Sequence, residues 1–275
     1  MKIGTVADKT RFRKPLLPVV ISVFSLISIL ISSGSAAELT VFAAAGAKPA
    51  IDDLSRIFEK KSGIKIKTDY GGGGEMLSKM LIAKSGDIYI APEQRFMMAA
   101  KDKGVVEPET IRVVAYMVPV IAVKKGNPQN IHNLSDLTRD DIRLAIPRTE
   151  TTLLGKYAPE IFRKAGLDNN AIEKNIIAQV LRPDSIIMMI DTGHIDAGIT
   201  WHFYQTMASD KIENIFLTSG QLTGIGEMRI AVSRYSKNKS SARQFVDFAV
   251  SPDGKAIFKK YGYIVDSDEL KKYWQ

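Results

Sequence analysis

The sequence predicts an α/β protein built from mostly parallel sheets, and three observations carry that prediction. Strand-like and helix-like patterns alternate along nearly the whole chain, as successive βαβ units require. Four consecutive glycines, Gly71, Gly72, Gly73 and Gly74, separate an alternating apolar strand from an amphipathic helix. The chain has no cysteine, so a packed core rather than a disulfide framework must hold it together.

Residues 39–43 read as a strand, and a helix over 49–61 turns Ile51, Leu54, Ile57 and Phe58 inward. Pro49 suits the first turn of that helix, and Gly63 the position just past its end. In the next strand Ile64, Ile66, Thr68 and Tyr70 share one face, with Lys65, Lys67 and Asp69 on the other. After the glycines a helix begins at Glu75 and carries Leu77, Met80, Leu81 and Lys84 at helical spacing. A short buried strand over 87–90 precedes a helix over 94–103 that Gly104 stops. Residues 113–123 are extended and nearly all apolar, interrupted by Pro119. Strands follow at 143–146, 177–181 and 197–201, with helices at 154–165 and 186–192 between them. A strand at 228–232 and helices at 240–250 and 252–260 complete the pattern. There is no internal repeat and no low-complexity linker. If the chain forms two lobes it must pass between them inside regular structure, and 113–123 and 226–234 are the extended stretches placed to do so.

The first residues combine Lys2, Lys9, Arg11, Arg13 and Lys14 with an apolar run over 16–31 and the small residues Ser35, Ala36 and Ala37. A basic region, an apolar core and a small-residue cleavage site predict a signal peptide over residues 1–37 and a periplasmic destination. The alternative is an uncleaved membrane anchor, for which a full span needs about 20 residues. No cysteine offers a lipid tether. Residues 1–37 hold five basic and one acidic residue, so their removal takes the net charge from +8 to +4. That mild excess, without clustering, is no footprint for nucleic acid. The remaining 238 or so residues suffice for two lobes of ordinary size.

Ligands of open α/β sheets bind beyond the carboxyl ends of strands, at helix N-termini, so the strand-to-helix turns carry the candidate site. In the first turn, Ala43 to Pro49, small side chains expose the backbone around Gly46. In the second, Gly72, Gly73 and Gly74 let successive N–H groups converge on one point, where the helix adds about half a positive charge. The third turn contains Arg148, Thr149, Thr151 and Thr152, whose hydroxyls can bind a ligand or cap the next helix. In the fourth, Asp184 or Ser185 caps a helix; in the fifth, Trp201 can donate its indole N–H to an acceptor-rich ligand.

Enzyme signatures are absent: there is no cysteine nucleophile and no Gly-x-Ser-x-Gly elbow. His132, His194 and His202 do not share metal-ligand spacing, and no Lys-Ser/Thr follows the glycines as a Walker loop would require. The residues therefore predict a binding protein with no cofactor, an exported enzyme being the less favoured alternative.

The segment from Leu39 to Ala45, Lys61 to Ile66, Gly86 to Ala91, Tyr157 to Gly166, Asp196 to Thr200 and the tail from Ser251 to Tyr263 resemble, in that order, the periplasmic molybdate-binding proteins of ABC importers. The resemblance spans essentially the whole exported chain. It implies a two-lobed periplasmic-binding-protein fold of type II with two crossover strands and a ligand cleft between the lobes. Residues 38–118 plus 229–275 would form one lobe and 119–228 the other. It further implies a monomer that captures molybdate or tungstate as a tetrahedral oxyanion, without a protein-ligated cation, and delivers it to an ABC permease and its ATPase.

Carried over position by position, the resemblance places a usual serine hydroxyl at Gly46, a second at Gly73, a backbone donor near Thr152, another donor at Ser185 and a usual tyrosine at Trp201. Two hydroxyls have become glycines and a phenol an indole. Gly72, Gly74, Arg148 and Thr151 are the candidates to supply replacement contacts, and the roomier pocket leaves a larger or different anion open. A receptor for iron or a metal chelate is a further alternative, with Tyr70, Glu75, Glu93 and His202 as candidate ligands; converging N–H groups, which repel cations, weigh against it.

Overall fold

In the first half of the chain, alternating apolar patterns fold into strands that pair through helical crossovers. A computed structural model describes residues 1–4 and 38–274. The signal segment read at residues 1–37 lies, beyond its first four residues, outside the described residues.

The first βαβ unit comprises β1 (Glu38–Ala44), a 3-10 turn (Ala45–Ala47), α1 (Lys48–Ser62) and β2 (Lys65–Gly71). Pro49 sits in the first turn of α1, and Gly63 ends it with φ of 73°, where a side chain would be strained. Ile51, Leu54 and Phe58 form its buried face, and Phe58 meets Phe245 edge-on at 5.0 Å between ring centroids. Next come α2 (Gly73–Ala83), β3 (Ile88–Ala91), α3 (Gln94–Asp102) and β4 (Arg112–Met117). The sequence pattern starts α2 at Glu75; the helix in fact begins two residues earlier, so Gly73 and Gly74 are its first turn rather than a loop leading to it.

After β4 the chain enters a second sheet through β5 (Pro119–Lys124) and β6 (Leu144–Pro147). There follow α4 (Leu153–Lys164), α5 (Asn169–Asn175), β7 (Ile176–Val180), α6 (Asp184–Asp191), β8 (Ala197–Trp201), α7 (Tyr204–Met207) and β9 (Ile212–Phe216). It then returns through β10 (Gly226–Val232), α8 (Lys239–Val250), α9 (Pro252–Lys260) and α10 (Ser267–Leu270).

The two five-stranded sheets run β2-β1-β3-β10-β4 and β7-β6-β8-β5-β9, one per lobe. Parallel pairing holds for β1 with β2 and β3, and for β6 with β7 and β8. The strands flanking the crossovers pair antiparallel, β10 with β3 and β4, and β5 with β8 and β9. Each sheet is therefore mixed: helical crossovers keep strands parallel inside a lobe, and strands that carry the chain between lobes reverse it.

The first passage between sheets is the single residue Val118; the second is the stretch 217–225 ahead of β10. Gly226 already pairs with Met117 in the first sheet, so 226–228 lie on that side of the passage. At the first passage Val118 donates its N–H to His202 Nδ1 at 3.1 Å and accepts the His202 N–H at 3.0 Å. Asp87, at the entry to β3, accepts the Thr40 N–H at 2.8 Å and the Ser236 hydroxyl at 2.6 Å, tying α8's approach to the sheet. Among the described residues, no helix is long and apolar enough to cross a membrane.

Candidate functional site

Strand ends of both sheets open onto one cleft of about 680 Å³, a volume in the ordinary range for small-molecule sites. The first lobe lines it with the turn after β1, the glycine run and Glu75, and the Pro92–Glu93–Arg95–Phe96 segment at the start of α3. The second contributes Thr151, Thr152, the turn from Leu181 to Asp184, Trp201, Phe203 and Tyr204. Tyr263, from the segment after α9, completes the wall.

Of the residues singled out from sequence, Gly46, Gly72, Gly73, Gly74, Thr151, Thr152 and Trp201 converge on this cleft. Gly46 is exposed in the 3-10 turn, and a Cβ there would lie 3.4 Å from Tyr204 Oη. At the glycine run, the N–H groups of Gly73, Gly74 and Glu75 have no acceptor within the helix they begin. The Gly72 N–H is donated to the carboxylate of Glu75 at 3.1 Å, so an internal anion already stands at this helix end. Gly73 is also a packing glycine: a Cβ there would come within 2.5 Å of the Phe96 ring and 2.8 Å of Pro92.

Thr152 is committed to the helix it starts. Its Oγ1 accepts the Gly155 N–H at 2.8 Å and donates to Arg148 O at 3.0 Å, while its own N–H donates to Arg148 O at 3.1 Å. It caps α4 as the capping alternative required. Arg148 and Ser185 stand outside the cleft lining. Arg148 is an exposed side chain whose backbone carbonyl closes the turn. Ser185 lies within the first turn of α6, its N–H turned back to Arg182 O at 3.0 Å, and Asp184 faces the cleft in its place. Trp201 is 4% exposed, and its ring edge lies 3.1 Å from where a Cβ on Gly226 would be.

Of the residues weighed as cation ligands, Tyr70, Glu75 and Glu93 line the cleft, but His202 is buried at the first passage with Nδ1 accepting a backbone N–H. Burial drives its imidazole down from 6.5 to about 4, so it is neutral at neutral pH. No cluster of three or more His, Cys, Asp or Glu suited to a cation forms among the described residues.

Sequence reasoning missed the pair that bridges the lobes and the hydroxyls on the wall. Arg95 donates from Nε to Glu93 at 2.8 Å and from Nη2 to Thr151 O at 2.6 Å, linking the start of α3 to the turn before α4. Glu93 is buried, and desolvation raises its carboxyl above the usual range, partly offset by Arg95 and the Leu153 N–H. The second arginine of the cleft, Arg182, is occupied by Asp184, with Nε 3.1 Å from Oδ1. Tyr204 and Tyr263 flank Phe203, each ring centroid 4.2 Å from its own. The Tyr263 hydroxyl is buried and finds no hydrogen-bond partner among the described residues. Tyr204 lies within reach of sequence reasoning, three residues past the Trp201 strand end; no local signal marks Tyr263.

The sequence profile of the bacterial extracellular solute-binding proteins matches residues 39–264. A Haemophilus influenzae protein named only as a binding protein is 26% identical over 232 residues, covering 84% of this chain and 93% of that one. Among solved structures, the periplasmic molybdate-binding protein of Azotobacter vinelandii superposes with a TM-score of 0.70 at 16% identity, covering 83% of this chain and 99% of the other. PEB3 of Campylobacter jejuni, solved with L-phospholactate bound, gives 0.69 at 21% identity, covering 82% and 99%. Both share the two-lobed architecture described above.

Proposed function

We propose that this chain, which belongs to the bacterial extracellular solute-binding proteins, captures a small anion in its interlobe cleft and passes it to an ABC permease driven by an ATPase. The observation that supports an anion is the convergence of exposed backbone at Gly46 with the first N–H groups of α2, which have no acceptor within the helix, on one cleft. Molybdate or tungstate is the first candidate, in keeping with the Azotobacter neighbour. Fixed-length N–H and O–H contacts around a rigid cleft would discriminate these from the smaller sulfate. Export by a cleaved leader would place the receptor in the periplasm, where it would act as a monomer.

The size of the cleft favours a second reading. Its 680 Å³ amounts to about twenty water-sized volumes, several times what a tetrahedral oxyanion fills. An anion carrying an organic group, as in the phospholactate complex of PEB3, would use the apolar wall of Phe96, Trp201 and Phe203 as well as the N–H groups.

A thermal-shift screen against molybdate, tungstate, sulfate, phosphate and L-phospholactate tests both. A ligand at 100 times its Kd adds roughly 2.7 kcal/mol. Stabilisation by molybdate and tungstate but not sulfate is expected from the first reading. A response to L-phospholactate without one to molybdate selects the second, and silence across the panel overturns the anion site.

A further inference from the structure

We propose that the hydroxyls of Tyr204 and Tyr263 are solute-binding donors, supplied one from each side of the passage between lobes. This inference rests on the anion reading above and names residues that complete that same site. Tyr263 follows α9 and lies beside Ile264, which bridges to Tyr116 in β4; Tyr204 starts α7, just beyond β8. Both side chains line the cleft. The Tyr263 ring stacks on Phe203 with planes 20° apart, and the Tyr204 ring packs on the same Phe203 at 33°, so neither phenol is free to swing away.

Tyr263 is 3% exposed, yet its hydroxyl has no hydrogen-bond partner among the described residues. Buried hydroxyls are almost always hydrogen-bonded, and an unpaired one on a cleft wall is a donor held in readiness. Tyr204 points its hydroxyl at the exposed backbone of the first turn, 3.4 Å from the Cβ position of Gly46. A side chain at residue 46 would contact that hydroxyl, so glycine keeps the path between Tyr204 and the turn open. Burial raises both phenols well above their ordinary range, aided at Tyr204 by the nearby Asp184 and Glu93 and opposed by Arg182. Both therefore keep their protons at neutral pH and donate rather than accept, which suits an anion.

The experiment compares wild-type protein with Tyr263→Phe and Tyr204→Phe by titration calorimetry against molybdate, tungstate and inorganic phosphate, alongside thermal melts without solute. A hydroxyl donating to a charged solute is expected to cost each variant about tenfold or more in affinity. Removing an unpaired buried hydroxyl should meanwhile leave the solute-free melting temperature of Tyr263→Phe unchanged or higher. Equal affinities in wild type and Tyr263→Phe overturn the inference while leaving the anion site standing. Loss of affinity together with loss of solute-free stability also overturns it, because the hydroxyl would then serve the fold. No binding of the three anions by the wild type overturns the anion reading and this inference with it.

Discussion

Val118 and His202 hold each other twice: the Val118 N–H donates to the imidazole Nδ1 at 3.1 Å, and the Val118 carbonyl accepts the His202 N–H at 3.0 Å. Since Val118 is the sole residue between β4 and β5, this reciprocal clamp fixes the backbone where the chain passes from one sheet to the other. A ring nitrogen that accepts a hydrogen bond must be unprotonated, so the clamp depends on pH.

The unfolded chain protonates His202 near 6.5, whereas the folded protein resists until about 4. Between those values the unfolded state binds more protons, and stability falls as pH falls. The full contribution is present above pH 6.5 and amounts to about 3 kcal/mol of stability relative to pH 4. Urea midpoints measured from pH 7 down to pH 5 should decline in the wild type and decline less in His202→Asn, which keeps an acceptor for Val118 without the titration. Equal slopes would show that His202 is not the titrating group.

Two glycines of the cleft should separate packing from binding. Gly73→Val drives a branched side chain into Phe96 and Pro92, and such overpacking costs about 1–3 kcal/mol. Gly46→Leu meets only the Tyr204 hydroxyl at ordinary contact distance and points into the cleft, so its melting temperature should stay within a few degrees of wild type. Its anion affinity is expected to drop about tenfold or more. Thermal melts together with calorimetry check both, and a stable Gly73→Val would refute the packing role assigned to Gly73.

Glu75 places a carboxylate at the N-terminus of α2, where an anionic solute would also seek the N–H groups. Glu75→Gln keeps a side-chain acceptor for Gly72 but removes the competing charge. Anion affinity is expected to rise by a few fold, on the order of 0.3–1 kcal/mol, with the gain shrinking as salt is added. An unchanged or weaker affinity at low salt would place the solute away from the glycine run.

The order of strands and helices was legible because the core positions keep their periods. Ile51, Leu54 and Phe58 mark α1 at helical spacing, and β8 spans Ala197–Trp201 as its apolar run reads. The element most plainly missed, β9, carries Glu213 and Asn214 in its middle and is an edge strand, so neither composition nor alternation marks it. The glycine run pointed to the cleft, yet sequence could not show that Gly73 is also demanded by Phe96, twenty-three residues on. Nor could it show that Thr152 spends both its donors on Arg148 O, or that the Arg95–Glu93 pair reaches Thr151 O. The Gly73–Phe96 and Arg95–Thr151 contacts join segments whose local patterns are silent about one another.

Gly226 lies opposite Met117 in the antiparallel ladder between β10 and β4, so the chain leaves the first sheet and re-enters it at neighbouring points. Everything from β5 through β9 is thus a module whose two ends nearly touch, grafted onto a sheet that closes without it. One side of the cleft wall, including Trp201 and Tyr204, travels with that module, while the glycine run and Tyr263 stay behind. Exchanging one such module for another would recombine recognition surfaces without reopening the host sheet. The two halves of the cleft can then diversify at separate rates, each constrained only where it meets the other.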